Sequence, residues 1–411
     1  MPMRPEAAYP LLSVEEALAR VLAAVSPLPA VRVPLLTALD QVLAEDVLAP
    51  FDVPPRDNAA MDGYAVRALD LHAGEALPVV GAVAAGHPAN EALPPGRALR
   101  IMTGAPLPIG ADTVVRFEDT TPLGEALRDA RVRIDRVPQR GANVRQAGED
   151  VRAGQVVLRQ GAVLRPQEIG MLAALGQTVV PVFRRPVVAV LSTGDEVVPP
   201  GEARGPGQIY DSNGPTVAAL VLRAGGEPLL LPPVRDRESD LAVRLHEAQA
   251  RADLIVTSGG VSVGDFDLVK NVLASHGQMD FWWVNMKPGK PLAFGRLGEV
   301  PLLALPGNPV AAMLSFYLFG RPAVAKMRGL RDWAPPGVMA VLADPIERKD
   351  GRRHYLRVRL EEGASQPVAR LTGDQGSGIL SSLVAGNGVA VIPETCTHLD
   401  AGTLVQVLLL E

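Results

Sequence analysis

Three loops of this sequence set glycine beside hydroxyl, amide or carboxylate side chains directly after short apolar runs. They are Ser192-Thr193-Gly194-Asp195-Glu196, the stretch from Ser258 through Asp265, and Pro306-Gly307-Asn308-Pro309. Glycine lets a ligand approach the main chain closely, and N–H groups in such loops can cradle phosphate or another oxyanion. Ser258, Gly259, Gly260, Ser262, Gly307 and Asn308 are therefore candidate cofactor-binding positions. A lone Ser-Gly-Gly turn is more often structural. Three such loops ending strands of one sheet mark the edge where open α/β sheets bind ligands. Lys287-Pro288-Gly289-Lys290-Pro291 adds two ammonium groups on a backbone stiffened by proline. A stiff pair of cations suits phosphate or a tetrahedral oxyanion; the plain alternative is a solvated turn. Asp195, Glu196, Asp236, Asp265 and Asp267 fall near the same loops. One or two carboxylates with substrate phosphate oxygens suit Mg2+, although each acid could equally cap a helix or brace a turn.

Two further polar stretches, Pro54 to Ala65 and Met102-Thr103-Gly104-Ala105-Pro106, precede these loops in the chain. They can serve the same site only by folding over it or by reaching it from another subunit. Other chemistries are absent from the pattern. His72, His87, His246, His276, His354 and His398 show no metal-ligand spacing. There is no nucleophile elbow, Walker A loop or GxGxxG after a strand. Cys396 is the one cysteine, which excludes an intramolecular disulfide and reads as a core residue.

The elements that must hold these loops follow from periodicity. With 411 residues, two to four domains are expected. Forty basic and 45 acidic side chains leave a net charge of −5, which argues against a general nucleic-acid binder. Apolar runs stay short of the roughly 18 residues a membrane span needs, and the N-terminus has no apolar signal region, so a soluble cytoplasmic enzyme or binding protein is expected. Ser13 and Glu16 form a capping box before a first helix, and a second helical stretch is expected over Leu35–Val42. Residues 51–143 alternate in short runs (Val79–Val83, Ala98–Met102, Thr113–Phe117, Arg131–Ile134), the mark of a β-rich module. Helix returns over 163–180. From 182 to about 328 strands and helices alternate, predicting a parallel doubly wound sheet with helices at Thr216–Ala224, Leu241–Arg251, Val269–Ser275 and Pro309–Lys326. After Pro335-Pro336 a small terminal β domain follows. The expected domains are a discontinuous linker (1–50 and 144–181), a β-rich module (51–143), an α/β domain (182–330) and a C-terminal β domain (331–411).

Eight motifs in chain order resemble the molybdopterin molybdenumtransferase family, the MoeA type of bacteria and the C-terminal part of gephyrin. They are DNAAMDGYAVR (57–67), MTGAPLPIGADTVV (102–115), GANVRQAGEDV (141–151), STGDEVV (192–198), GQIYDSN (207–213), SGGVSVGDFD (258–267), MKPGKPLAFG (286–295) and LPGNPVAAMLSF (305–316). The resemblance implies a multidomain α/β plus β protein: a MogA-like doubly wound α/β domain, a β-rich insert, a linker and a small C-terminal β-barrel-like domain. It implies a homodimer that inserts molybdate into adenylylated molybdopterin, releasing AMP, with Mg2+ or another divalent cation. By motif, Asp62 and Thr103 reach the partner's α/β domain, and Glu196, Asp236, Lys287 and Lys290 complete the catalytic set. Glu196, Asp236 and Asp267 are the implied metal ligands, and Arg357 and Ser377 lie near bound molybdate. Arg145 and Asp150 match the family's linker. One departure stands out: Trp283 occupies a position where some members carry a lysine. Molybdopterin adenylyltransferase and apo-molybdoenzymes are the implied partners, with no nucleic acid and no membrane. Two rivals remain at this level: the adenylyltransferase of the preceding step, and a gephyrin-like peptide scaffold using Phe316, Tyr317 and Phe319.

Overall fold

The structure is a computed structural model that describes residues 10–87, 91–124, 130–259 and 277–410. The chain forms two compact units. One takes in Met1–Ala44, Gly161–Ile169 and Val179–Glu411, the other Glu45–Gln160 and Gly170–Thr178.

The first unit is built on a seven-stranded sheet in the order Leu11–Leu12, Gly277–Val284, Pro291–Leu297, Val300–Leu305, Leu254–Ser258, Val187–Ser192 and Glu227–Leu230. Its central strands are nearly continuous β-branched and leucine runs, buried along their length, as expected of strands covered on both faces. Val188, Val190, Val256 and Leu303 face Val217 and Val221 of helix Asn213–Arg223 and the segment around Phe316. Ala189, Leu191, Ile255 and Leu302 face Leu241 and Leu245 of helix Glu238–Arg251. Near the N-terminus, helix Val14–Ala23 carries the capping box in full: Glu16 N–H donates to the Ser13 hydroxyl and Glu16 accepts from Ser13 N–H.

The sheet is mixed rather than wholly parallel. Strands 277–284 and 291–297 form an antiparallel hairpin, and the second also pairs antiparallel with 300–305. Only Gly298 and Glu299 join the latter two, too few residues for the crossover a parallel pair needs. The expected helix over Leu35–Val42 is a single 3-10 turn, Leu35–Ala38; Asp40 turns left-handed at φ 60°, after which Val42 and Leu43 make bridges to Val163 and Val182. The helix expected over 163–180 covers Pro166–Ala174 and ends before Gly176 (φ 75°); Val179–Phe183 is a strand paired with Ala30–Pro34. The helix expected over Pro309–Lys326 contains a π-helical stretch, Phe316–Gly320, between helices Pro309–Ser315 and Arg321–Met327. Pro322 has no N–H to donate to Leu318, and the wider turn absorbs that gap. The helix expected at Val269–Ser275 lies outside the described residues.

The C-terminal part of this unit is a small closed barrel. Strands Arg353–Glu361, Val368–Leu371, Gly337–Leu342, Leu404–Leu409 and Gly388–Ile392 pair in that order, and the last returns to the first. The short strand Met286–Lys287 adds in parallel to the edge of Arg353–Glu361. The second unit holds a six-stranded sheet in the order Thr113–Arg116, Gly63–Val66, Ala98–Ile101, Ala76–Val83, Arg131–Ile134 and Thr120–Leu123.

Phe316 is fully buried in the core on which the site's strands rest. Phe316→Ala is expected to destabilise the protein by about 3–5 kcal/mol, measured as a lowered midpoint in denaturant unfolding.

Candidate active site

The parallel register brings the loop-bearing strand ends level: Ser192 pairs with Ser258, and Ser258 with Leu305. Their loops therefore leave one edge together and enclose a cleft of about 350 Å³ lined by Ser192, Thr193, Glu196, Ser258, Gly259, Gly307 and Asn308. Gly259 adopts φ 88°, and a Cβ there would lie 2.5 Å from the Thr193 carbonyl oxygen, so only glycine fits. The Thr193 hydroxyl is buried without a hydrogen-bond partner among the described residues, a donor ready for a ligand oxygen. Asp211, which the sequence reading did not single out, accepts from Ser192 Oγ and Gly214 N–H at 2.9 Å each and so ties the first loop to helix 213–223. Its signal was the Asp-Ser-Asn run just before that helix. Asn213 Nδ2 donates to the Gly307 carbonyl at 2.8 Å, fastening the third loop to the same helix start.

Glu196 lies exposed at the rim of this cleft. The segment bearing Asp236 runs alongside: Thr193 bridges Val234, and Asp236 N–H donates to Asp195 at 3.3 Å. No group of three metal-ligating side chains converges among the described residues. Glu196, exposed beside the glycine loops, is a hard oxygen donor of the kind a hard cation takes together with water. Gly260, Ser262, Asp265 and Asp267 lie outside the described residues.

The lysine loop is suspended between two sheets. At one end Val284 N–H donates to the Lys290 carbonyl at 2.7 Å. At the other, Met286 and Lys287 pair with Arg353 and His354 of the barrel. The loop lines a cleft of about 260 Å³ with Lys287, Lys290, Asn308, Arg352, Gly376 and Ser377, and Asn308 also lines the first cleft. The two clefts thus adjoin. Lys287 further borders a cleft of about 480 Å³ on the barrel side, with His354 and Arg357.

Arg357 is fully buried. Its Nε donates to Ser382 Oγ at 3.0 Å, Nη1 to the Gln375 carbonyl at 3.0 Å, and Nη2 to the Asp374 and Gly376 carbonyls at 3.2 and 2.9 Å. It shapes the loop that carries Ser377, whose carbonyl accepts from Val310 N–H at 3.1 Å. Lys287 Nζ lies 3.3 Å from Asp350 Oδ2, and Asp350 Oδ1 lies 2.8 Å from His354 Nε2. Burial works against the Asp350 charge, but the His354 and Lys287 contacts prevail and lower its pKa to about 2. Burial pushes the His354 imidazole below its ordinary value despite Asp350. An ionised Asp350 can only accept, so Nε2 carries the proton in this contact. Neither Asp350 nor His354 was evident from sequence spacing.

In the second unit, Asp62 Oδ1 accepts from both the N–H and the hydroxyl of Thr103, each at 2.7 Å. These bonds hold the Asp62 carboxyl below its usual range. The two residues expected to act together are paired, 41 residues apart in the chain at neighbouring strand ends. Phe316, Tyr317 and Phe319, considered as an apolar contact surface, are buried core side chains.

The sequence matches three family models in chain order: MoeA N-terminal region (domain I and II) over residues 12–176, Probable molybdopterin binding domain over 189–326, and MoeA C-terminal region (domain IV) over 339–410. A molybdopterin molybdenumtransferase of Haemophilus influenzae is 41% identical over 91% of this chain and 92% of its own. The chain belongs to the MoeA family. Molybdopterin molybdenumtransferase 2 of Mycobacterium tuberculosis is 39% identical over 92% of this chain and 94% of its own. The crystal structure of a molybdopterin biosynthesis MoeA protein from Pyrococcus horikosii superposes with a TM-score of 0.86 at 34% identity, covering 98% of this chain and 99% of that one. MoeA membership agrees with the architecture: the multidomain α/β plus β fold, the doubly wound domain and the closed C-terminal barrel.

Asp350 favours the imidazolium, so Asp350→Asn removes that support and is expected to lower the His354 pKa further. An NMR titration of the imidazole checks this: His354 titrates below 6.5 in the parent and lower still in the variant.

Proposed function

We propose that this protein inserts molybdate into adenylylated molybdopterin, yielding molybdenum cofactor and releasing AMP. One observation carries the reading: a cationic loop cleft adjoins a cleft lined by glycine and hydroxyl loops, with Asn308 common to both. The phosphate-bearing substrate lies in the loop cleft, where the Thr193 hydroxyl and main-chain N–H groups meet its oxygens. Molybdate lies against Lys287 and Lys290. Both partners are anionic, and like charges at 4 Å repel by about 1 kcal/mol in water and by more where water is excluded. Lys287 and Lys290 lower that cost by position and charge. Lys287 exchanges its exposed Asp350 partner for the incoming oxyanion, while Arg357 keeps the Ser377 loop in place.

Glu196 and Asp236, with Asp267, would hold a Mg2+ that neutralises phosphate charge when bound. Asp62 and Thr103 are supplied by a second copy of the chain, which makes the protein a homodimer with shared sites. No helix among the described residues is long and apolar enough to cross a membrane, and the reading places the enzyme in the cytoplasm. There it would take substrate from molybdopterin adenylyltransferase and pass product to apo-molybdoenzymes. The adenylyltransferase alternative requires pyrophosphate release from ATP; this reading requires AMP release that depends on molybdate.

Asp62→Ala and Lys287→Ala are each expected to abolish molybdate-dependent AMP release. Unfolding and refolding the two together should restore about a quarter of parental activity, because half of randomly formed dimers pair the two variants and carry one intact site. No recovery on mixing would place both residues in one chain's site.

A further inference from the structure

Trp283 adjoins the lysine loop but has no part in the chemistry above. It lies near the end of strand Gly277–Val284, opposite Pro291 on one side and beside Leu11 on the other. Its indole is half-buried, and Lys290 Nζ lies 4.2 Å from the ring centroid. The Lys290 main chain is fixed separately, through its carbonyl bond to Val284 N–H and through Pro291, which follows it. Four rotatable bonds still separate that carbon from the ammonium, so the backbone alone does not decide where the charge goes.

We propose that Trp283 is a positioning residue that holds the Lys290 ammonium at the anion cleft by a cation–π contact. The negative face of an indole attracts an ammonium yet brings no net charge of its own. In this it differs from Asp350, whose carboxylate attracts Lys287 but also repels an approaching dianion. Trp283 restricts the Lys290 side chain before the anion arrives, so less conformational freedom is lost on binding. The contact acts on anion capture, so its loss is read in KM more than in kcat. This inference rests on the reading of Lys290 as an anion ligand.

The test uses the full-length protein carrying Trp283→Leu, Trp283→Phe, Lys290→Met and the Trp283→Leu/Lys290→Met pair. Steady-state AMP release gives KM for molybdate and kcat, and calorimetric titration with sodium molybdate gives its Kd. Trp283→Leu is expected to raise KM and Kd for molybdate about five- to tenfold, with kcat within about twofold. Trp283→Phe, which keeps a π face, recovers most of the loss. In the Lys290→Met background, Trp283→Leu adds no further change, because the residue acts through that ammonium. Parental KM and Kd in Trp283→Leu, a Phe variant no better than Leu, or additive losses in the pair would each overturn the proposal. An unchanged molybdate Kd in Lys290→Met overturns the underlying reading of Lys290 instead. If Trp283→Leu does not fold, Trp283→Met against Trp283→Phe supplies the same comparison.

Discussion

The structure depends on main-chain hydrogen bonding at both ends of one six-residue excursion, residues 285–290. The hairpin of the α/β sheet holds it through Val284 and Lys290, and the barrel holds it through Arg353 and His354. A loop tethered once would leave two flexible lysines waving over the sheet edge. Tethered twice, it makes the barrel part of the wall of the lysine cleft. The junction is reinforced where Arg353 pairs with Glu394 of the barrel and with Glu15 of the N-terminal helix. The buried Arg357 guanidinium, spread over three carbonyls and a hydroxyl, stiffens the facing loop from within. Removing water from a guanidinium is costly unless its donors are matched, so this loop keeps its shape for as long as Arg357 stays enclosed.

The two lysines are held by different physical means. Lys287 meets a carboxylate whose other oxygen is committed to a neutral imidazole. Lys290 meets an aromatic face. An ion pair at an exposed position is individually weak, so the Lys287–Asp350 contact holds its ammonium only loosely. Both ammonium groups nevertheless border one cleft.

Local signals were readable where the physics is local. The Ser13–Glu16 capping box, the buried runs of the three central strands and the glycine turns at Gly194, Gly259 and Gly307 stand where the sequence pattern places them. What escaped depends on contacts distant in the chain. The 277–297 hairpin is split by a Pro-Gly punctuated loop that reads as irregular, and its pairing with 300–305 reverses the expected strand direction. Asp350 and His354 look like ordinary members of a charged loop; only the parallel pairing of Met286–Lys287 with the barrel brings them to Lys287. Arg357 could be matched by position, but its bonds to the 374–376 carbonyls, which make it a builder of the loop, are set by the barrel's closure. The π-helical stretch at Phe316–Gly320 reflects a single missing N–H at Pro322, invisible to a hydrophobic period.

The central claim is that the doubly tethered lysine loop is the oxyanion site. Anomalous diffraction from crystals soaked in tungstate, a heavy analogue of molybdate, tests it most directly. The account predicts a tungsten peak within hydrogen-bonding reach of both the Lys287 and Lys290 ammonium groups, lost in Lys290→Met. A peak bound elsewhere, with this cleft occupied only by water, would contradict it.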